Sequence, residues 1–213
     1  MKIIIIQQAP SAMTWDAKYD SASFENAAAA EHSRGIAPVS VRQTDASAYR
    51  IYTGTSRASV ETAAALFTFS ENEEEQTPLL DDVPLRAYRD TENAYSVRFW
   101  KAMAKAQWYT GNKRQTETRA ETLQRVGEFV DHLENEEKDC VLVTDALVRN
   151  ALLSVLSRRG YCIEGERRPK PLARIRATQR SLHCGGCMQK CLLSDPGCAI
   201  GKDKARRESS YKK

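Results

Sequence analysis

Residues 2–10, Lys-Ile-Ile-Ile-Ile-Gln-Gln-Ala-Pro, decide the fold of this chain. Four isoleucines that end at two glutamines are typical of a short parallel strand buried on both faces, because such strands lack the polar alternation of half-exposed ones. Residues 49–53 (Tyr-Arg-Ile-Tyr-Thr) and 140–144 (Cys-Val-Leu-Val-Thr) show similar runs. We therefore predict three strands here, and a fourth at an edge of the sheet in the alternating residues 172–178.

Helical patterns lie between these strands. Gly54-Thr55-Ser56 predicts a turn and a helix cap, and a helix from Arg57 to Phe67 follows. Residues 117–135 are amphipathic, and a further helix begins after residue 144. Strands that alternate with helices indicate an α/β fold, a three-layer α/β/α sandwich with a mostly parallel sheet.

The rest of the chain is less regular. Residues 70–76 predict an acidic loop, and residues 78–116 predict short helices that cover the core. A length of 213 residues suits one α/β domain with a small appendage. We place the domain at residues 1–180 and a Cys-rich, basic C-terminal tail at residues 181–213.

The charge of the chain is unevenly distributed. There are 32 Lys and Arg against 28 Asp and Glu, a net charge of +4, yet residues 158–213 alone contain 15 basic and 5 acidic residues. A uniformly basic nucleic-acid-binding protein would not show this asymmetry. The longest aliphatic run has four residues, so we expect neither a membrane-spanning helix of ~20 apolar residues nor a secretory signal. We expect a cytoplasmic protein that does not bind membranes.

Three strand ends carry the residues that predict a functional site. Sites in open α/β sheets form at the carboxyl ends of the strands. The first strand ends in Gln7-Gln8-Ala9-Pro10, and the third ends in Thr144-Asp145-Ala146. The second ends in residues 53–63, Thr-Gly-Thr-Ser-Arg-Ala-Ser-Val-Glu-Thr-Ala. We therefore predict that these three ends meet at one pocket.

This arrangement resembles the histidine phosphatase superfamily, which has the phosphoglycerate mutase-like fold, over residues 2–178. In that family the first strand leads into Arg-His-Gly, whose His is the phosphate-accepting nucleophile. The second strand leads into Arg-Ala-x-x-Thr-Ala, and the last leads into Ser/Thr-His-Gly. An acidic residue supplies the proton, and a Glu-Ser…Arg helix resembles the segment from Glu117 to Arg125 here. The resemblance implies a phosphatase or mutase fold.

The resemblance also implies that the catalytic groups are lost. It maps the nucleophile to Gln8, its partnering Arg to Gln7 and the second His to Asp145, and it places Arg57 at the arginine of the second motif. This chain is one residue longer between that arginine and Thr-Ala, and Asp82 lies in the region of the proton donor. The matching positions are therefore Gln7, Gln8, Arg57, Asp82 and Asp145, in a degenerate member of the family.

These residues predict a weakened or absent phosphatase reaction. A glutamine amide such as that of Gln8 has neither nucleophilicity nor an exchangeable proton near neutral pH. Asp145 begins a helix, where its carboxylate takes the N–H donors and repels a phosphate. Arg57 either binds an anion or pairs with Asp82 or Asp145 and closes the pocket. We predict a pseudo-phosphatase that binds a protein partner or an anion such as a phosphorylated small molecule.

Two other functions remain open at this stage. An active phosphomonoesterase or phosphoglycerate mutase-like enzyme would need a non-standard nucleophile, and none of the three histidines, His32, His132 and His183, follows a strand end. A nucleic-acid-associated protein would use the basic tail as a zinc knuckle. That tail offers only Tyr211 for stacking on bases, which weakens this alternative.

Four cysteines of the tail predict a metal site. Cys184, Cys187, Cys191 and Cys198 lie within 15 residues, with two glycines inside the first pair. In a chain without a secretory signal, such a cluster favours a metal over disulfides. Four thiolates suit Zn²⁺, and an iron–sulfur cluster is the alternative, with His183 able to replace one cysteine. Four free thiols are the remaining interpretation. We predict a structural zinc, since the tail has few apolar residues with which to fold.

We expect about one zinc ion per chain in protein purified without chelator, and loss of tight binding in Cys187→Ser, which removes one of the paired thiolates. Because the domain at residues 1–180 has its own core, chelation should leave its unfolding transition nearly unchanged. Loss of the metal should make residues 181–213 sensitive to protease. Elemental analysis tests this directly. Substoichiometric zinc and iron would leave four free thiols, whereas iron with a visible absorption band would keep the site and change its metal.

Overall fold

The computed structural model describes residues 1–70, 74–166 and 168–179. Met1–Gln179 form one unit. The tail at residues 181–213, with the predicted zinc ligands Cys184, Cys187, Cys191 and Cys198, lies outside the described residues. Within the described ranges, no helix has the length and apolar character needed to cross a membrane.

The described part of the chain alternates between strands and helices. Its strands are β1 (Lys2–Gln7), β2 (Lys18–Tyr19), β3 (Thr44–Asp45), β4 (Arg50–Thr53), β5 (Phe67–Thr68), β6 (Glu74–Gln76), β7 (Tyr95–Ser96), β8 (Cys140–Thr144), β9 (Cys162–Gly165) and β10 (Arg174–Thr178). Its α-helices are α1 (Ser21–His32), α2 (Arg57–Leu66), α3 (Val97–Thr110), α4 (Arg119–Glu136) and α5 (Ala146–Arg158). A short 3₁₀-helix covers Pro78–Leu80.

Six strands form the central sheet, in the order β6-β4-β8-β1-β10-β9. The first four pair in parallel, whereas β10 runs antiparallel to both of its neighbours. Gln7 is aligned with Thr144, so β1 and β8 end side by side. The predicted, mostly parallel sheet is therefore confirmed.

Helices cover both faces of this sheet because its central strands are apolar on both sides. Ile3 and Ile5 of β1 belong to the cluster formed with α4 and α5. Ile6 belongs to a second cluster, with Ala63 and Leu66 of α2. Neighbouring residues of a strand point to opposite faces, which explains this division. The chain has the predicted three-layer α/β/α architecture.

A third apolar cluster joins α1 to α3. Phe24 stacks on Trp100 with ring centroids 5.4 Å apart, and the indole N–H of Trp100 donates to the carbonyl oxygen of Tyr19 at 2.8 Å. An ion pair of 3.0 Å between Lys101 and Glu31 adds a polar contact between the two helices. These contacts fix α1 and α3 as one structural unit.

Several elements differ from the sequence prediction. Residues 174–178 form an internal strand rather than an edge strand, because β9 pairs along their outer side. The predicted acidic loop at 70–76 contains β6, whose backbone pairs with β4. Residues 97–110 form one helix of 14 residues instead of short helices. The sequence prediction has no counterpart of α1, because that helix buries only Phe24 and lacks an apolar stripe.

Candidate functional site

A cavity of about 850 Å³ opens at the carboxyl ends of β1 and β8. We use the term cavity floor for four of its residues. They are Gln7 and Gln8 at the end of β1, Asp82 after the 3₁₀-helix, and Asp145 after β8. Helix α2 contributes Ala58, and α1 and α3 also line the cavity. The three strand ends that the sequence predicted to meet therefore all reach this cavity.

The side chain of Gln8 is fixed by hydrogen bonds at both ends of its amide. Its Nε2 donates to Oδ2 of Asp82 at 3.1 Å, and its Oε1 accepts from the hydroxyl of Ser59 at 2.8 Å. The backbone N–H of Gln8 donates to the carbonyl of Thr144 at 2.9 Å. Gln8 thus links β1 to β8, α2 and Asp82, and its amide carries no group that can accept a phosphoryl group.

Asp145 is the N-cap of α5. Its Oδ1 accepts from the backbone N–H of Val148 at 2.7 Å. Burial, and then the charge of Asp82, raise the pKa of Asp145 to about 7, although hydrogen bonds from backbone N–H groups act in the opposite direction. Ionisation of Asp145 is therefore costly in the folded protein, as expected for a carboxyl group that meets another acid in an enclosed site.

Asp82 has a similar environment. Burial raises its pKa to about 6, Asp81 and Glu31 act in the same direction, and the hydrogen bond from Gln8 opposes them. Arg125 lowers the pKa of both Asp82 and Asp145, but as a minor influence. Asp82 and Asp145 thus give the cavity floor an acidic character.

Arg57 points away from this site. Its Nε donates to Oε1 of Glu61 at 2.6 Å, one turn along α2, and its side chain is 65% exposed. The predicted ion pair with Asp82 or Asp145 is therefore wrong. Among the described residues of α2, Ala58 lines the cavity and Arg57 does not. Successive helical residues point roughly 100° apart, so a cavity position at 58 turns position 57 outward.

The spacing of the second motif accounts for this difference. In Arg-Ala-x-x-Thr-Ala the arginine lies four residues before the threonine, and Ala58 lies four residues before Thr62. The hydroxyl of Thr62 accepts a hydrogen bond from the backbone N–H of Ala9 at 3.0 Å, which fixes this turn of α2 against the end of β1. Ala58, and not Arg57, therefore has the spacing to Thr62 that the motif gives its arginine, and Arg57 does not line the cavity.

Arg125 is held in place at the edge of the cavity. It donates to the carboxylate of Glu117 at 2.8 Å and to the carbonyl oxygens of Leu79 and Asp81 at 2.7 Å each. The resemblance had already indicated Glu117 and Arg125, and the structure brings them together as an ion pair. Arg125 orders the chain on either side of Leu80, and this chain segment leads directly into Asp82.

Two further ion pairs lie at the cavity and were missed by sequence reasoning. Lys101 pairs with Glu31 at 3.0 Å, and Arg86 pairs with Glu25 at 3.5 Å. Glu31 and Glu25 belong to α1, and no periodic apolar pattern predicts that helix. The sequence therefore held no signal that would bring these residues to the strand ends.

The described ranges contain no group of three or more His, Cys, Asp or Glu side chains that could hold a metal ion. Cys140 is buried in β8, where burial raises the pKa of its thiol to about 12. Cys162, on β9, is also a free cysteine. The zinc site of the tail remains a prediction, because its four cysteines lie outside this part of the chain.

No family model matches the chain, and no curated protein matches its sequence. Solved structures with similar backbones include two phosphatases at low sequence identity. Phosphoserine phosphatase from Entamoeba histolytica, in complex with 3-phosphoglyceric acid, is 13% identical over 74% of this chain and 80% of that chain, with a TM-score of 0.48. Mycobacterial glucosyl-3-phosphoglycerate phosphatase is 12% identical over 74% and 79% of the two chains, with a TM-score of 0.43.

We expect Asp145→Asn to stabilise the protein more at pH 8 than at pH 4.5. The pKa of Asp145 is raised in the folded state, so the wild type binds this proton more tightly when folded and loses stability as pH rises from about 4 to about 7. Asparagine cannot ionise, and it keeps the oxygen that caps α5. Thermal melts of the variant and the wild type at both pH values measure the effect.

Asp20→Asn is the matched control for this prediction. Asp20 caps α1 by accepting from the backbone N–H of Ser23 at 2.8 Å, but hydrogen bonds from Ser23 lower its pKa. Because Asp20 is already largely ionised at pH 4.5, the same substitution there should change stability by nearly the same amount at both pH values. An Asp145→Asn shift in Tm that is equal at both pH values would mean that Asp145 ionises freely in the folded protein.

Proposed function

We propose that this chain is a degenerate member of the histidine phosphatase superfamily, a pseudo-phosphatase that acts by binding rather than by turnover. The observation that carries the proposal is the position of Gln8 and the hydrogen bonding of its amide. Gln8 occupies the strand end that matches the family's nucleophile, and its amide is bound by Asp82 and Ser59. Covalent phosphoryl transfer requires a nucleophile that an adjacent group can activate, and an amide is not one.

The surroundings of Gln8 support the same conclusion. Three positions that would carry cationic or neutral phosphate-binding groups in the family hold Gln7, Ala58 and Asp145. A phosphate at the cavity floor would lie beside two acidic groups, Asp82 and Asp145, whose negative charge opposes its entry. Catalytic groups of this type act as a unit, so the loss of several together removes far more than any one of them would.

The histidines of the chain offer one alternative nucleophile in the described residues. His32 ends α1 and lines the cavity, whereas His132 lies on α4 next to Glu136 at 3.6 Å. His32 is exposed and has no hydrogen-bonded acid to orient its ring among the described residues. We therefore assign His32 no catalytic role. The substitution His32→Ala then distinguishes a pseudo-phosphatase from an active enzyme with a non-standard nucleophile.

The tail completes the proposal. A structural zinc held by Cys184, Cys187, Cys191 and Cys198 would order residues 181–213, a segment rich in Lys and Arg. The spacing of the cysteines supports this, as does the scarcity of apolar residues there. In this view the tail serves the contact with a partner.

Purified protein should not hydrolyse p-nitrophenyl phosphate above the rate of the buffer. His32→Ala and Arg57→Ala should show the same rate as the parent, because neither side chain takes part in a reaction. A rate that the parent shows and His32→Ala abolishes would contradict the proposal and identify His32 as a substitute nucleophile. The measurement is release of p-nitrophenol over hours at saturating substrate.

Rebuilding the motif should create a phosphate site. Gln7→Arg, Gln8→His, Ala58→Arg and Asp145→His together should bind vanadate at least about tenfold more tightly than the parent, because three substitutions add donors or positive charge and one removes an acid. The matched variant keeps Ala58 and carries only the other three changes, and it should bind more weakly. Isothermal titration measures both, after thermal melts have shown that each variant folds. Equal affinity of the two variants would mean that Arg57, and not position 58, supplies the arginine.

A further inference from the structure

We propose that the cavity binds an organic cation: a small molecule whose protonated primary amine lies against Asp82 and Asp145 and whose apolar body packs against Val83, Leu85 and Leu147. The inference rests on the proposed function, because a cavity that still processed phosphate esters would have to hold an anion in the same place. It adds to that function the chemical class of the ligand.

The charges of the cavity that lack an ionic partner are mainly negative. Three of its basic side chains are already paired with an acid, in the pairs Arg125–Glu117, Lys101–Glu31 and Arg86–Glu25. Asp82 and Asp145 have no cationic partner among the described residues, and accept hydrogen bonds from an amide and a backbone N–H instead. Lys105 is the unpaired basic residue of the described lining, and it is exposed at the surface.

Arg125 does not neutralise the two aspartates. It acts on both carboxyl groups, but its guanidinium is already bound by Glu117 and by two backbone carbonyl groups. A guanidinium whose donors are taken in this way contributes a charge that its own partner largely cancels. When Asp82 and Asp145 are ionised, the cavity floor therefore attracts a further positive charge.

The unsatisfied hydrogen-bonding atoms of the cavity floor are acceptors. Oε1 of Gln7 and Oδ1 of Asp82 are fully buried, and neither receives a hydrogen bond. A buried acceptor without a donor costs free energy, so the site is stabilised by an occupant that donates. The terminal torsions of both side chains are soft, so an occupant that also replaces the hydrogen bond from Gln8 to Asp82 can bring these oxygens toward itself. An ammonium group has three N–H donors, whereas a phosphate offers mostly further acceptor atoms.

The size and lining of the cavity favour an organic cation over a metal ion. A volume of about 850 Å³ is that of a small-molecule site, for which ~300–1,000 Å³ is usual. The part of the chain that the structure describes has no group of three metal-ligating side chains. The half-buried side chain of Leu85 and the small exposed parts of Val83 and Leu147 give an apolar body a surface to contact.

Three probes that share a phenyl ring and differ in charge test the proposal on the full chain at pH 8. They are phenethylamine, the neutral 2-phenylethanol and the anionic phenyl phosphate. We expect phenethylamine to bind in isothermal titration, and 2-phenylethanol to bind at least about tenfold more weakly, because it lacks the charge. Asp82→Asn and Asp145→Asn should each weaken the amine by a similar factor and leave the alcohol unchanged. Asp16→Asn makes the same change in net charge at an exposed residue outside the cavity, and it should leave the affinity for the amine unchanged.

The outcomes separate this inference from the proposed function. Three results would overturn the cation site without contradicting the pseudo-phosphatase. They are equal affinity for the amine and the alcohol, no binding of the amine, and amine binding that neither aspartate variant weakens. Tighter binding of phenyl phosphate without turnover would overturn the cation site as well. Hydrolysis of phenyl phosphate would overturn the proposed function itself. Binding of Mg²⁺ that displaces the amine and depends on both aspartates would show a metal site instead, and would also overturn the inference.

Discussion

The parallel pairing of β1 with β8 is the constraint on which the rest of this structure depends. Its register aligns Gln7 with Thr144, and the backbone of Gln8 then bonds to Thr144. Because the two strands end at the same level, whatever residues follow them must share one space. In this chain those residues are Gln8 and Asp145, which together with Asp82 set the hydrogen bonds and the charge of the cavity floor.

When ionised, the carboxyl groups of Asp82 and Asp145 make the electrostatic potential of that space negative, whereas a phosphate-binding pocket is positive. Burial alone makes an ionised acid unfavourable, and a second acid nearby adds to the cost, which is why the pKa values of Asp82 and Asp145 both rise. A protein that keeps such groups without a cationic partner gives up stability at neutral pH. The ion pair between Arg125 and Glu117 leaves this cost in place, because the guanidinium that acts on both aspartates is bound to another acid.

The sequence predicted the central strands and the covering helices better than it predicted the strands at the sheet edges and the walls of the cavity. The isoleucines of β1 and the apolar run of β8 have the pattern of strands covered on both faces, and the structure confirms both. β6 and β9 could not be predicted in this way, because backbone pairing at a sheet edge needs no apolar pattern. The acidic and amide residues at the strand ends were also found from the sequence. The wall built by α1 was not, since its single buried residue, Phe24, leaves no periodicity to detect.

Arg57 shows why a motif alone could not define the site. One added residue between the arginine and Thr62 changes nothing in the composition of the segment, yet it turns the side chain by roughly 100° on the helix. The hydrogen bond from the backbone N–H of Ala9 to Thr62 fixes the orientation of α2 at Thr62. Because Thr62 is fixed, the added residue changes the direction of the side chain at position 57 instead. Arg57 then meets Glu61, and Ala58 faces the cavity. Gln8 joins Ser59 and Asp82 through its amide, whereas Asp145 accepts a hydrogen bond from the backbone of its own helix. The three linked side chains hold one another in place, and the carboxyl groups of Asp82 and Asp145 give the cavity floor its acidic character.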